Sequence, residues 1–182
     1  AGSNKILVAC VVAEDASDVD MTILSIAWNT TELFTQAVQQ LDTGDKATIW
    51  YLINPTAAAS NVVCTFTGTV SSAGMGAASF QGVAQTGQPD NIATEHDITA
   101  GTTSLVAITP VVNNCLVVRC FNKRTAAGSI TAYDSPTIEI YTADIANCDI
   151  GSSYDILVGG AGSSSSKGIT QGSSVNENCA AT

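Results

Sequence analysis

The stretch Asp45–Gly68, "DKATIWYLINPTAAASNVVCTFTG", decides the fold because it holds two extended runs joined by a linker that begins at Pro55. Trp50 and Tyr51 stand side by side in the first run, and neighbouring side chains on a strand point to opposite faces. One face carries Ile49, Tyr51 and Ile53, and the other carries Thr48, Trp50 and Leu52. A strand with two apolar faces is covered on both sides, so this stretch predicts a core on one side and further cover on the other.

Trp50 raises the question of what that further cover is. We expect the face with Tyr51 to pack inside a sandwich, and Trp50 to lie against the second layer or against a neighbouring subunit. Thr48 and Leu52 beside Trp50 form a mixed surface, which is typical of an interface with an apolar centre and a polar rim. The sequence therefore makes Trp50 a candidate residue for oligomer assembly, whereas Tyr51 is a candidate core residue.

Short apolar runs separated by turn signals recur along the rest of the 182-residue chain. They include "KILVACVVAE" at 5–14, "MTILSIAW" at 21–28, "TSLVAITPVV" at 103–112, "CLVVRCF" at 115–121 and "SYDILVGG" at 153–160. About ten short strands at such spacing, with no run that requires a helix, predict an all-β, antiparallel, jelly-roll-like β-sandwich. We expect one domain over residues 1–182, and we find no internal repeat in the sequence.

Two segments need separate interpretation. The run "TELFTQAVQQLD" at 31–42 is compatible with a helix and with a strand, and we expect a strand because its neighbours are strands and hairpins join them. Asn29 and Thr30 mark the tight turn before it. The run "GGAGSSSSKG" from Gly159 to Gly168 has no side chain able to anchor it, so it predicts a flexible Gly/Ser loop at 159–168.

The charge balance excludes several classes of partner. The formal net charge is -10 with a sequence pI ≈ 4.1, and the densest group of cations is "RCFNKR" at 119–124. Binding a nucleic-acid backbone requires clustered cations, and a membrane-spanning helix requires about eighteen apolar residues in a row. We therefore expect no nucleic acid and no membrane as partners. The opening "AGSNK" lacks the layout of a signal peptide, and either a cleaved signal or a removed initiator Met ahead of Ala1 fits it.

The six cysteines favour burial over metal binding. No C-x-x-C pair is present, and the single histidine, His96, is distant from every cysteine in sequence, so the zinc templates fail. Four cysteines stand in apolar runs, where this residue behaves as a small buried hydrophobe. These four are Cys10, Cys64, Cys115 and Cys120. Cys148 and Cys179 lie in polar surroundings and are the disulfide candidates for an oxidising compartment.

No combination of residues predicts catalysis or a cofactor. His96 in "TEHDIT" is flanked by two carboxylates, but neighbours on a strand face apart and no G-x-S-x-G motif is present. The acidic run "EDASDVD" at 14–20 offers oxygen ligands for calcium, yet it lacks the glycine and the distal Glu of an EF-hand loop. We expect a loop histidine exposed to water, and a solvated acidic turn with a structural calcium as the alternative. The chain is therefore not expected to be an enzyme, and no catalytic, cofactor-binding or metal residue is assigned.

Aromatic side chains are the candidates for a sugar-stacking surface. They are Trp28, Trp50, Tyr51, Tyr133, Tyr141 and Tyr154. Aromatic residues make up only 5% of the chain, so we expect most of these rings in cores or interfaces. Glycan binding stays an alternative function.

Five segments together resemble a jelly-roll-like β-sandwich module that recurs in tailed-phage virion proteins and in some secreted microbial surface proteins. They are "NKILVACVVAED" at 4–15, "SIAWNTTELF" at 25–34, "KATIWYLINPTAAASNVVCTFTG" at 46–68, "SFQGVAQTGQPD" at 79–90 and "NNCLVVRCF" at 113–121. The module pattern has an N-[RK]-x-L-V-V strand, a V-x-Y-G-G hairpin, an IWYL-x-x-P strand, an NVxVTFSG strand and F-x-G-V-D-Q-T. This chain departs from it at 28–30, where Trp-Asn-Thr replaces Tyr-Gly-Gly, and at Ala84, which replaces the acidic residue.

The resemblance implies a non-enzymatic virion structural protein, most directly a capsid decoration or cement protein that coats or stabilises a bacteriophage particle at the virion surface. The implied partners are other copies of the chain, as a homo-oligomer with a trimer as one arrangement, and a major capsid or other virion protein. The alternatives are a secreted, extracellular glycan-binding β-sandwich module and a subunit of an extracellular filament. β-Sandwiches host many unrelated functions, so the resemblance implies architecture more directly than activity.

Overall fold

A computed structural model of the chain describes residues 4–15, 21–42, 44–97, 103–124, 129–145, 148–157, 161–171 and 177–182. Within these ranges it contains fifteen strands and no helix. The strands are Lys5–Glu14 (β1), Thr22–Trp28 (β2), Glu32–Leu33 (β3), Thr35–Asp42 (β4), Asp45–Ile53 (β5), Val62–Thr67 (β6), Ser72–Gln81 (β7), Ala93–Asp97 (β8), Thr103–Ile108 (β9), Cys115–Arg124 (β10), Ile130–Tyr133 (β11), Ile138–Ala143 (β12), Cys148–Leu157 (β13), Ser165–Gln171 (β14) and Glu177–Ala181 (β15).

The strands form four antiparallel sheets, named here by their positions. Inner sheet 1 has the order β4-β5-β1-β7, and outer sheet 1 has the order β3-β2-β6. Inner sheet 2 has the order β12-β13-β10-β15-β8, and outer sheet 2 has the order β11-β14-β9. The predicted all-β, sandwich-like fold is confirmed. The number of strands exceeds the predicted ten because short polar strands such as β14, "SSKGITQ", carry no apolar alternation that a sequence pattern could detect.

Three apolar cores separate the four sheets, so the sheets stack in the order outer 1, inner 1, inner 2, outer 2. The shared core lies between the inner sheets and is built from Ile6, Val8, Cys10, Val12 and Ile49 on one side and Val118, Cys120, Cys148 and Ile150 on the other. The opposite face of β1 turns Leu7, Ala9 and Val11 toward outer sheet 1. The opposite face of β10 turns Val117 and Phe121 toward outer sheet 2. Both β1 and β10 are thus covered on two faces, which explains their continuous apolar sequences.

The two aromatic rings of the opening stretch are both used inside the chain. Tyr51 packs against the shared core, on the same face as Ile49, as predicted. Trp50 is 8% exposed and packs against outer sheet 1 with Ile26 and Phe34. The second layer therefore covers Trp50, and the expectation of an assembly residue at this position is wrong. The Tyr51 face is covered by the second half of the same chain.

The two halves of the chain repeat one another in topology. We name strands β1–β7 module 1 and strands β8–β15 module 2. The order β4-β5-β1-β7 in module 1 corresponds to β12-β13-β10-β15 in module 2, and the pair β2-β6 corresponds to β11-β14. Six strands of each module are therefore equivalent, in the same chain order; β3 is an addition to module 1, and β8 and β9 are additions to module 2.

Strand register and irregularities agree with this equivalence. Val8 pairs with Tyr51 in module 1, and Val118 pairs with Tyr154 in module 2. The ladder between β4 and β5 shifts between Gln36 and Val38, and the ladder between β12 and β13 shifts at the equivalent place. The register also shifts once in the ladder between β2 and β6, and once at the equivalent place in the ladder between β11 and β14. A bulge inserts a residue at a defined place in a strand, so two shared bulges are strong evidence for a structural repeat.

Two further equivalences lie on β1 and β10. The residues ahead of these strands, Asn4 and Asn114, both have φ of 59°. Cys10 Sγ lies 3.9 Å from Arg119 O, and Cys120 Sγ lies 3.9 Å from Val11 O, so the two equivalent cysteines face each other's strand where the modules meet. The sequence showed no internal repeat because equivalent positions carry unlike residues, whereas the backbone pattern of the two modules is shared.

Glycines on β7 allow the modules to approach closely. A Cβ added at Gly76 would lie 2.5 Å from Tyr141 Cβ, and one added at Gly74 would lie 2.6 Å from Ile145 Cδ1. Real Cβ contacts are not this short, so a side chain at Gly76 would displace Tyr141 at its Cβ, whereas one at Gly74 would first displace the end of the Ile145 side chain.

The remaining local predictions divide into confirmed and corrected ones. The segment at 31–42 forms β3 and β4, as predicted. The turn before it has φ of 52° at Asn29 and 62° at Thr30, as a tight hairpin requires. The flexible loop expected at 159–168 is wrong for its last four residues, because β14 begins at Ser165 and pairs with β9. Residues 159 and 160 lie outside the described ranges.

Candidate binding surfaces

His96 lies in β8, and its partner comes from the other module. Its Nε2 atom is 3.0 Å from Asp42 Oδ2 on β4. The flanking Glu95 is exposed and, as a strand neighbour, faces the opposite way. The expectation of a loop histidine is therefore wrong, because His96 lies on a strand and contacts module 1 through Asp42.

The acidic run at 14–20 is only partly described, since Asp18 and Asp20 lie outside the described ranges. Glu14 is 8% and Asp15 is 2% exposed, so the expected solvated turn is wrong for these two residues. Asp15 N donates a hydrogen bond to Gly44 O at 3.1 Å. In the described parts of the chain, no three His, Cys, Asp or Glu side chains are placed to hold a metal ion.

Two cations of the "RCFNKR" stretch are buried in ion pairs within module 2. Arg119 Nη1 pairs with Asp155 Oδ1, and Arg119 Nη2 donates to Ser165 Oγ at 3.1 Å. Lys123 Nζ lies 3.5 Å from Asp149 Oδ2, and burial raises the pKa of that carboxyl. Both cationic side chains are 0% exposed, so their charges are paired inside module 2 and are not presented to a partner. Among the described residues, no helix is long and apolar enough to cross a membrane.

The cysteine predictions are confirmed in part. Cys10 and Cys120 are buried as predicted, whereas Cys64 and Cys115 are only half-buried. Cys148 is a free thiol with 0% exposure, so its assignment as a disulfide candidate is wrong. Its run looks polar in sequence, but β13 turns the residue into the shared core. The side chain of Cys179 lies outside the described ones.

Alkylation with iodoacetamide should follow this division. Among the five cysteines whose side chains are described, at pH 7.5 we expect Cys115 to react first, and Cys10, Cys120 and Cys148 to react only after denaturation, because buried thiols are inert. Burial raises the pKa of Cys64 to about 11, so that its reactive thiolate is scarce at neutral pH. Mass spectrometry of peptides from native and urea-treated protein measures the order. Rapid native labelling of Cys148 would contradict the placement of β13.

The six candidate rings for sugar stacking are mostly committed to packing. Tyr51 and Tyr154 pack against the shared core, and the Tyr154 ring meets the Phe80 ring edge-on at 4.9 Å. Tyr133 donates to or accepts from Thr142, and burial raises its pKa to about 12. Among the six, Tyr141 alone is exposed, at 40%. One exposed ring is a weak basis for a glycan platform.

A cavity of about 610 Å³ lies where the modules meet. Its walls include Tyr51 and Phe80 from module 1, Leu116 and Ile156 from module 2, and the 81–91 segment that joins the modules. The polar groups of that segment are engaged locally: Tyr51 Oη donates to Gln88 O at 3.0 Å, and Asp90 Oδ2 accepts from Val111 N at 2.7 Å. The cavity thus has the size of a small-molecule site, but these polar groups are already hydrogen-bonded within the chain.

A second feature is an open groove of about 620 Å³ on module 1, which we call the edge groove. Its lining includes Leu7 of β1, Trp28 and Val62 near outer sheet 1, and Met75 and Ala77 of β7. The groove runs between β7 and the start of β6. These strands are the last ones of inner sheet 1 and outer sheet 1 in the described structure.

The edge strand β7 is unusual in composition. Over its ten residues, "SAGMGAASFQ", it carries neither a charge nor a proline. The other edges of the inner sheets carry acidic residues: Asp42 in β4, Glu139 in β12, and Glu95 and Asp97 in β8. Charges and prolines are the usual protection of a free edge against strand pairing, so β7 is an edge open to pairing.

Comparison with known proteins identifies no relative: no family model, no curated protein and no solved structure matches this chain. Sequence patterns did not locate the edge groove, because it depends on which strands end their sheets. The one signal that pointed toward it is the pair of runs "NKILV" at 4–8 and "NCLVV" at 114–118, which both start with Asn and lead into the equivalent strands β1 and β10.

Proposed function

We propose that this chain is a non-enzymatic structural protein of a virion, a decoration or cement protein that binds the outside of a capsid in multiple copies. The observation that carries the proposal is the placement of the segments that resemble the phage module. Asn4–Val8, "NKILV", follows the opening-strand pattern, and the apolar run Asn114–Val118, "NCLVV", begins the equivalent strand of the other module. This equivalence supports an arrangement of two such modules packed back to back.

An exposed apolar face on outer sheet 1 supports a role in assembly. Leu24 and Leu33 are each 63% exposed and Val63 is 44% exposed, all within outer sheet 1. Strands β2 and β6 of this sheet contain no charged residue. Clusters of exposed apolar residues mark sites of protein association, and a chain with net charge -10 approaches an acidic neighbour most easily through a neutral face.

Particle association tests the proposal. Virus particles purified on a density gradient from the source of the chain should contain it, and a specific antibody should label their surface. Absence from such particles would overturn the proposal. If the purified chain then binds a glycan on an array, the rival reading of a secreted glycan-binding module takes its place.

A surface variant refines this test. We expect Leu33→Glu combined with Val63→Glu to weaken rebinding to depleted particles by about tenfold or more, because apolar interface centres dominate binding. Leu105→Glu on outer sheet 2, where Leu105 is 47% exposed, is the matched control and should rebind normally. Circular dichroism must show unchanged β structure in both variants. Equal rebinding by all three proteins would remove outer sheet 1 as the contact face.

A further inference from the structure

In module 2, the edges equivalent to β7 and β6 are both paired. β15 pairs with β8, and β14 pairs with β9, so each sheet of module 2 continues by one strand. Val106 and Ile108 of β9 lie beside Val117 in the core between inner sheet 2 and outer sheet 2, with Ala93 of β8 packed against them. Val117 is equivalent to Leu7, which lines the edge groove. The edge groove is thus the unfilled counterpart of a position that two strands fill in module 2.

Burial of equivalent residues measures the difference. Ala181 of β15 is 0% exposed, whereas its equivalent in β7, Ala77, is exposed. Ile169 of β14 is 1% exposed, whereas its equivalent in β6, Cys64, is half-buried. Apolar surface that module 2 removes from water therefore stays accessible in module 1, on both sheets and on the same side.

We propose that the edge groove of module 1 is an acceptor site for a pair of β-strands supplied by another polypeptide chain. One incoming strand pairs with β7 and the other with β6, as β8 and β9 pair with their equivalents. The strand beside β6 presents aliphatic side chains at alternate positions, in the manner of Val106 and Ile108, and these fill the volume over Leu7 and Met75. Main-chain hydrogen bonds supply affinity and the alternating side chains supply specificity.

The pairing of β8 and β9 favours a separate chain as the donor, and the composition of β7 suits such a donor. The strands β8 and β9 are already paired within module 2. The acceptor edge β7 has no charge, and the small side chains of Ala73, Ala77 and Ser79 leave its backbone accessible to a neighbour.

A synthetic peptide of residues 91–110 is the first probe, because it carries the two strands that fill the equivalent position. Added to the full chain at roughly millimolar concentration, it should slow amide exchange about tenfold in β6 and β7. The matched control peptide carries Val106→Asp and Ile108→Asp and should leave exchange unchanged. Slowed exchange in β14 and β15 instead would mean that the peptide replaces the chain's own strands, which would overturn the proposal.

Protein variants locate the effect. Ala77→Asp places a charge in the edge groove at a position that is exposed in the free chain, so we expect normal folding and loss of peptide binding. Gln36→Asp, on the opposite edge of inner sheet 1, is the matched control and should bind as the parent does. Binding of the peptide to Ala77→Asp with parental affinity would overturn the assignment of the groove.

A fusion protein tests the same docking without relying on weak binding of a separate peptide. A chain with a second copy of residues 91–113 placed directly ahead of Asn4 repeats the order of module 2, since Asn114 is the equivalent of Asn4. Because the effective concentration of the added strands is high, they should dock, raise Tm and protect the amides of β6 and β7 from exchange.

No protection of these amides in the fusion would overturn the proposal. Protection of β7 in the concentrated parent alone, with dimer formation, would assign the groove to a second copy and also overturn it. Both measurements use the purified chain, so they stand apart from particle binding.

Discussion

Asp155→Ala is expected to lower the free energy of unfolding by about 3–5 kcal/mol. The Arg119 guanidinium is 0% exposed and pairs with the Asp155 carboxylate, which is 3% exposed. Removing the carboxylate leaves a buried cation whose desolvation is no longer offset, with Ser165 Oγ as its remaining side-chain contact in the described structure. Urea unfolding followed by circular dichroism measures the loss.

The repeat offers a matched control for this variant. The equivalents of Arg119 and Asp155 in module 1 are Ala9 and Leu52, both apolar. The double variant Arg119→Met with Asp155→Leu removes both charges and retains side-chain volume, so it should recover most of the lost stability. If the double variant is as unstable as Asp155→Ala, packing and not the unpaired cation explains the loss. A single-variant loss under about 1 kcal/mol would show that the pair contributes as little as a surface pair.

Trp50→Ala is expected to cost about 3–5 kcal/mol of folding free energy, the range for deleting a large buried aromatic. Its indole is 8% exposed among Leu7, Ile26 and Phe34, and its Nε1 donates to Thr48 Oγ1 at 3.0 Å. The loss should appear as a lower Tm. The variant should keep the parent's oligomeric state in light scattering at temperatures where it is folded.

Trp28→Ala is the comparison for this variant. Trp28 is half-buried at the edge groove, and its Nε1 donates to Thr56 O at 3.2 Å. Because less apolar surface returns to water on truncation, its loss of stability should be clearly smaller. Equal losses in the two variants would contradict the burial of Trp50 between inner sheet 1 and outer sheet 1. A change in assembly in Trp50→Ala, at unchanged Tm, would restore its role as an interface residue.

Sequence reasoning reached the strand class but not the functional surfaces. The alternation in 45–53 predicted that Tyr51 and Trp50 face opposite cores, and it left open whether the second cover was the same chain. Cys148 was misassigned because its neighbours Asn147 and Asp149 are polar, while the strand turns its thiol inward. The sequence pattern could not locate the edge groove, because a strand is at an edge only when no other strand pairs with it on one side, and local patterns do not show pairing.

The sequence by itself determined the all-β character, the hairpin at Asn29 and Thr30, and the two-sided burial of β1, because these depend on side-chain alternation and turn preference over a few residues. Only the tertiary structure decided the rest: the stacking of four sheets, the repeat of two modules, the ion pair of Arg119 and the open edge at β7. These features arise from pairing between strands far apart in the chain. Local patterns indicate that a face of a strand is apolar, but they do not indicate which distant strand covers that face. The repeat shows the same limit, since Ala9 and Arg119 occupy equivalent backbone positions with no chemistry in common.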